Sequence, residues 1–100
     1  MTAAATQQPP AHLSKKMRDW WEDIEATHGL EPHHRHLLQL AAEAFDRAEG
    51  ARKVIEGQGA VFLDRFNQAK ARPETVIERD CRRDFAAIVK QLNFDEEPPK

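Results

Sequence analysis

Four of the five histidines fall close together, as His28, His33, His34 and His36. Imidazole nitrogens bind zinc, but a structural site closes a tetrahedron of four ligands, and this run offers no second ligand pair at a suitable spacing. No metal site is expected. A pH-responsive helix start is another use for such a run, since histidine titrates near neutrality, although a protonated ring at a helix N-terminus is opposed by the helix dipole. Cys81 is the single cysteine, which rules out an intramolecular disulfide and a multi-cysteine zinc site. Set between Asp80 and Arg82 on an apolar helical face, it reads as a small core residue and not as a nucleophile. Gly57-Gln58-Gly59 lacks the strand, lysine and helix of a phosphate loop, and no serine elbow or paired-carboxylate site appears. The sequence therefore predicts no catalytic residue, no cofactor and no enzyme.

Chemistry of a different kind is offered by Arg72, Arg79, Arg83 and Lys90. At 100° per helical residue these four lie within about 20° of one line, opposite the apolar stripe of the same segment and flanked by Ala86 and Ala87. Like charges four residues apart slightly destabilise a helix, and the spacing places no acid inside the row. Such a row can neutralise phosphates and hold a duplex without reading its sequence, so these four are the candidate DNA-binding residues. The plainer alternative is a solvated charged face.

Helices must position these groups. The first is expected to begin after Ser14, whose hydroxyl can accept from an otherwise unpaired amide, and to stop at Gly29 in a left-handed C-terminal position. Met17, Trp20, Trp21, Ile24 and His28 recur along it at helical spacing. A second helix should start at Pro32, tolerated in a first turn because its missing amide would be unpaired there, and run to about Glu56. Leu37, Ala41, Ala44, Ala48 and Ile55 centre its apolar arc, and Leu38, Leu40, Phe45 and Val54 widen it to roughly 200°, against the ~100° stripe of an ordinary surface helix. One side is expected to face the subunit and the other a second copy. Trp20, Trp21, Leu38, Leu40, Phe45 and Val54 are thus candidate oligomer-interface residues; the alternative is a long helix clasped on two sides within a monomer. Residues 60–67 suit either a short extended piece or hairpin, or a loop pinned by Phe62 and Phe66. A third helix should enter at Pro73 and end near Asn93, with Ile77, Cys81, Phe85, Ile88 and Leu92 on one face. The short Gly29-Leu30-Glu31 turn raises a helix-turn-helix, but the flanking helices are too long and the second opens without a polar base-reading row.

The fold class predicted is mainly all-α, a long helical hairpin plus a third C-terminal helix. A chain of 100 residues with 40% apolar and 32% charged content is the size of one domain with a modest core, for which self-association adds stability. Residues 1–12 and the acidic, proline-containing 95–100 are expected to be tails around a single helical domain at 13–94. Net charge is −2, yet residues 65–90 carry seven bases against four acids, +3, and the remainder carries −5. Met1–Pro10 lacks the basic start and long apolar run of a secretory signal, and no stretch reaches membrane-spanning length, so a cytoplasmic protein without membrane contact is expected.

The order of these pieces resembles a known family. Ser14-Lys15 followed by Trp20 and Trp21, then Gly29-Leu30-Glu31 before an alanine-rich helix, then Gly57-Gln58-Gly59, an extended segment, Ala71-Arg72-Pro73, Asp80, Arg83, Phe85 and a closing Leu92-Asn93-Phe94, is similar to the P27-like terminase small subunits of tailed phages. The likeness spans about residues 13–94 and lies in order and separation, because each piece is degenerate. It departs at Arg72-Pro73, where family members often carry His-Pro, and many members are longer at one or both ends. The resemblance implies a homo-oligomer, in the form of a ring, in the host cytoplasm. Such an assembly binds viral double-stranded DNA and presents it to the large terminase subunit, which holds the ATPase and nuclease, with the acidic Asp95-Glu96-Glu97 end as one candidate contact. The alternative is a small dimeric helical DNA-binding regulator of the antitoxin or repressor type.

Overall fold

The computed structural model describes residues 8–92. Three helices and a two-stranded sheet follow in order: α1 (Lys15–Thr27), α2 (Pro32–Gln58), β1 (Val61–Leu63), β2 (Ala69–Ala71) and α3 (Pro73–Leu92). The chain is mainly helical with one small hairpin, as its periodicity predicts.

Ser14 starts α1 as expected, its hydroxyl accepting from the Met17 N–H at 3.2 Å. The same hydroxyl donates to Asp46 Oδ1 at 2.6 Å, and the Ser14 N–H donates to Asp46 Oδ2 at 2.8 Å. One cap thus both closes α1 and fastens it to α2. The other end of α1 departs from expectation. His28 leaves the helix with extended backbone (φ −123°, ψ 143°), and among the described residues the glycine with positive φ is Gly59, at 88°. Only four residues separate α1 from Pro32, and a residue before proline is driven to extended backbone, so the link runs straight instead of coiling left-handed. At the start of α2 the Glu31 N–H donates to His34 Nδ1 at 3.3 Å, giving one histidine of the cluster a capping role.

The two strands pair antiparallel, Val61 with Ala71, Phe62 with Lys70 and Leu63 with Ala69. Their five-residue connection is set by Asp64, whose Oδ1 accepts from the N–H groups of Phe66 (2.8 Å) and Gln68 (3.0 Å), and by Asn67 at φ 62°. Asn tolerates that left-handed geometry better than most residues. Of the two outcomes left open for this segment, the hairpin is the one formed. It extends to Ala71, past the expected segment, because Ala69-Lys70-Ala71 has little intrinsic strand preference and becomes a strand only through its partner.

The helices packed along their length are α2 and α3, so the long hairpin joins the middle helix to the C-terminal one and α1 is the element added across it. Leu13, Met17, Trp21, Leu38, Ala42 and Leu92 form the buried cluster, with Trp20, Ile24, Leu30, Leu37, Phe45 and Ile88 packed around it. Ala41, Ala42, Ala48 and Ala51 are buried along α2, where a Cβ methyl lets the neighbouring helix approach closely. The wide apolar arc of α2 is therefore covered from two sides inside the subunit over its N-terminal half. Residues 8–12, expected in the N-terminal tail, turn back along α2, with His12 Nε2 2.7 Å from Glu43 Oε2. The expected acidic tail at 95–100 and the closing Asn93-Phe94 lie outside the described residues. No helix among the described residues is long and apolar enough to cross a membrane.

Candidate nucleic-acid and assembly interface

The cationic row lies on α3, but its four members are not equivalent. Arg72 sits at the end of β2, where its Nε donates to the Gly59 carbonyl (2.9 Å), its Nη2 to the Gln58 carbonyl (3.3 Å), and its guanidinium lies 5.6 Å from the Phe62 ring centroid. Those donors close the C-terminal end of α2, so Arg72 anchors the base of the hairpin and stands apart from the row. Arg79, Arg83 and Lys90 remain exposed and span about 17 Å at 1.5 Å per residue. An acid does reach them: Asp80 Oδ1 lies 3.3 Å from Arg79 Nε and 3.5 Å from Arg83 Nη2. Helical projection puts Asp80 beside the row, and the long arginine side chains swing across to meet it. These are exposed pairs, easily exchanged for phosphate contacts.

The interface candidates divide in the same way. Trp21 is 3% and Leu38 0% exposed, so both belong to the subunit's own core and neither reaches a second copy in this fold. Trp20 and Phe45 are half-buried against Phe85, with ring centroids 5.6 Å and 5.4 Å away, where all three helices meet. Lys16 Nζ (5.0 Å) and the Arg82 guanidinium (5.8 Å) lie over the Phe45 ring. Val54 is half-buried, and Leu40 is exposed. The surplus apolar surface assigned to the middle helix is largely consumed by α1 and α3; projection at 100° per residue measures an arc but not how many neighbours share it.

The exposed apolar surface lies elsewhere. Val61, Phe62, Leu63 and Phe66 are between 36% and 68% exposed, and Val76 and Ile77 in the first turns of α3 are exposed as well. With the observed register, Val61, Leu63, Ala69 and Ala71 share one face of the hairpin, an uninterrupted aliphatic surface, while Phe62 and Lys70 lie on the other. Phe66, expected to pin a loop, stands at the tip with the Arg65 guanidinium 5.0 Å from its ring centroid. The alternation of Val61, Phe62 and Leu63 and the Asp64/Asn67 turn residues were the available signals for this surface.

Electrostatic ties hold the pair α2/α3 in register beneath the hairpin. Arg82 Nη2 donates to Glu49 Oε2 (2.9 Å) and Arg82 Nε to Glu78 Oε2 (3.1 Å), and Glu49 also accepts from Arg52 (3.2 Å). The Arg82 bond first, and then the Arg52 bond, hold the Glu49 carboxyl below its ordinary range. Glu25, the one buried charged residue among those described, accepts from Arg35 at 2.6 Å and 3.3 Å, joining α1 to α2. Spacing on single helices did not reveal these cross-helix pairs.

Among the described residues no group of three or more His, Cys, Asp or Glu could hold a metal ion; the His33 and His34 rings lie 4.1 Å apart, tilted by 46°, and Cys81 is buried. What the geometry offers is contact: an exposed cationic face on one helix, and an apolar hairpin at the end of the helical pair. No protein-family model, curated protein or solved structure matches the chain.

Proposed function

We propose that this chain is a phage terminase small subunit, an oligomeric adaptor that binds viral double-stranded DNA in the host cytoplasm. It would present that DNA to a large terminase subunit carrying the ATPase and nuclease. The observation that carries this reading is the concentration of exposed apolar side chains on the hairpin and the start of α3, which no other element among the described residues covers. Contiguous apolar surface of that kind marks an interaction site. The order of sequence pieces shared with the P27-like family says what such an assembly does. Arg79, Arg83 and Lys90 supply the DNA face: three cations bind weakly in one subunit, but repeated around a closed assembly they raise one another's effective concentration.

The test joins mass to DNA retention. In native buffer the protein is expected to sediment as a closed oligomer larger than a dimer, and to retain duplex DNA with an affinity that falls steeply as salt rises. Arg79→Glu with Arg83→Glu should abolish retention at low salt while helicity and assembly size stay unchanged. Retention by the double variant would reduce the row to a solvated face, and a dimeric mass would favour the regulator of the antitoxin or repressor type.

A further inference from the structure

An open groove of about 330 Å³ runs between α2 and α3. Leu40, Ala44, Ala87 and Ile88 form an apolar lining; Glu43 from α2, bonded to His12, and Asp84 from α3, 3.8 Å from Arg83, are its acids, and Arg47 is the base on the lining. The hairpin is its chemical complement. It presents Leu63 and Phe66 exposed, and residues 60–72 carry three bases, Arg65, Lys70 and Arg72, against the single acid Asp64. The hairpin cannot reach the groove of its own subunit. The α2 residues of the groove, Leu40 to Arg47, lie about 17–27 Å along the helix from Gln58, where the hairpin departs, and the ties from Arg72 to Gln58 and Gly59 hold its base at that end.

We propose that the hairpin of one copy seats in the α2/α3 groove of the next, with Leu63 and Phe66 against Leu40, Ala44 and Ile88, and Arg65 toward Asp84. The contact rests on the self-association proposed above and specifies its geometry. Two different surfaces meet, so the interface is head-to-tail, and repetition closes a ring when the rotation permits. An aliphatic hairpin face with no hydrogen-bonding side chain suits a protein neighbour better than base edges. The Arg79/Arg83 row, on other positions of α3, is left to DNA.

Complementation tests the contact. Leu63→Glu with Phe66→Glu spoils the hairpin and Leu40→Glu spoils the groove, all at exposed positions; far-UV circular dichroism checks that each variant is folded. Asp84→Lys, on the exposed groove wall, serves as a second groove variant should Leu40→Glu disturb folding. Wild type is expected to assemble, and each variant alone to associate about 30-fold or more weakly, the effect of losing a hot-spot anchor. An equimolar mixture of the hairpin and groove variants should form a dimer and stop there, because one intact hairpin meets one intact groove. The proposal is overturned if both groove variants assemble like wild type, if the hairpin variant does so, or if the mixture stays monomeric. A hairpin variant that assembles normally but loses duplex DNA would assign the hairpin to nucleic acid instead. A monomeric wild type would remove the adaptor reading itself, whereas an assembling wild type with unaffected groove variants would remove only this contact.

Discussion

At the scale of single residues, backbone conformation separates two glycines that look alike in the sequence. Gly59 holds φ 88°, strained for any side chain, while Gly29 has no positive φ and no neighbour within 4 Å of where a Cβ would stand. Gly59→Ala should therefore destabilise by about 1 kcal/mol or more, and Gly29→Ala should be neutral or stabilising by a few tenths, up to about 1 kcal/mol, by restricting the unfolded chain. Urea denaturation of the two variants checks the contrast, and equal effects would contradict the described link. Arg72 teaches a related lesson. Its spacing assigned it to a helical row that begins only after it; the two carbonyls at the end of α2 that occupy its donors left no local signal, because they come from residues 13 and 14 positions earlier.

Among elements, the pairing of α2 with α3 depends on ions as well as on alanines. Glu49 bonded to Arg82 and Arg52 has a lowered carboxyl pKa. A depressed acid contributes stability that is complete above the ordinary glutamate value of 4.5 and is lost as pH falls through the lower folded value. Glu43 has the same sign, through its bonds to Gln39 and then His12. The urea midpoint of wild type should accordingly fall as pH drops below about 4.5, and Glu49→Gln should show lower stability at neutral pH with a shallower acid decline. Parallel profiles for the two proteins would mean that Glu49 does not couple the helices. The helix boundaries themselves were close to what capping and periodicity indicated: Ser14 begins α1, and Pro32 and Pro73 open α2 and α3. These signals are local, carried by residues within a turn of the boundary they mark. β2 had no such signal, since Ala69-Lys70-Ala71 is a strand only by pairing with Val61–Leu63.

For the whole molecule, the proposed assembly would divide stability and association between different residues, and that division can be measured. Leu38 is fully enclosed by α1 and the end of α3, so Leu38→Ala should cost about 3 kcal/mol through a cavity and lower Tm by roughly 10 °C or more. At a temperature where the variant remains folded, its assembly size should match wild type, because Leu38 contacts no surface offered to a neighbour. A dissociated but fully folded Leu38→Ala would return Leu38 to the interface its helical position first suggested. The hairpin substitutions are expected to act in the opposite sense, changing association with little change in Tm.

The sequence by itself determined the helical class, where each helix starts and the face of α3 that carries cations, because periodicity, caps and charge rows are properties of neighbouring residues. Only the tertiary structure decided which apolar residues are left over. An apolar stripe records that a side chain prefers to leave water, not which element takes it in; α1 and α3 enclose Trp21 and Leu38, while Leu63 and Phe66 stay exposed among the described residues.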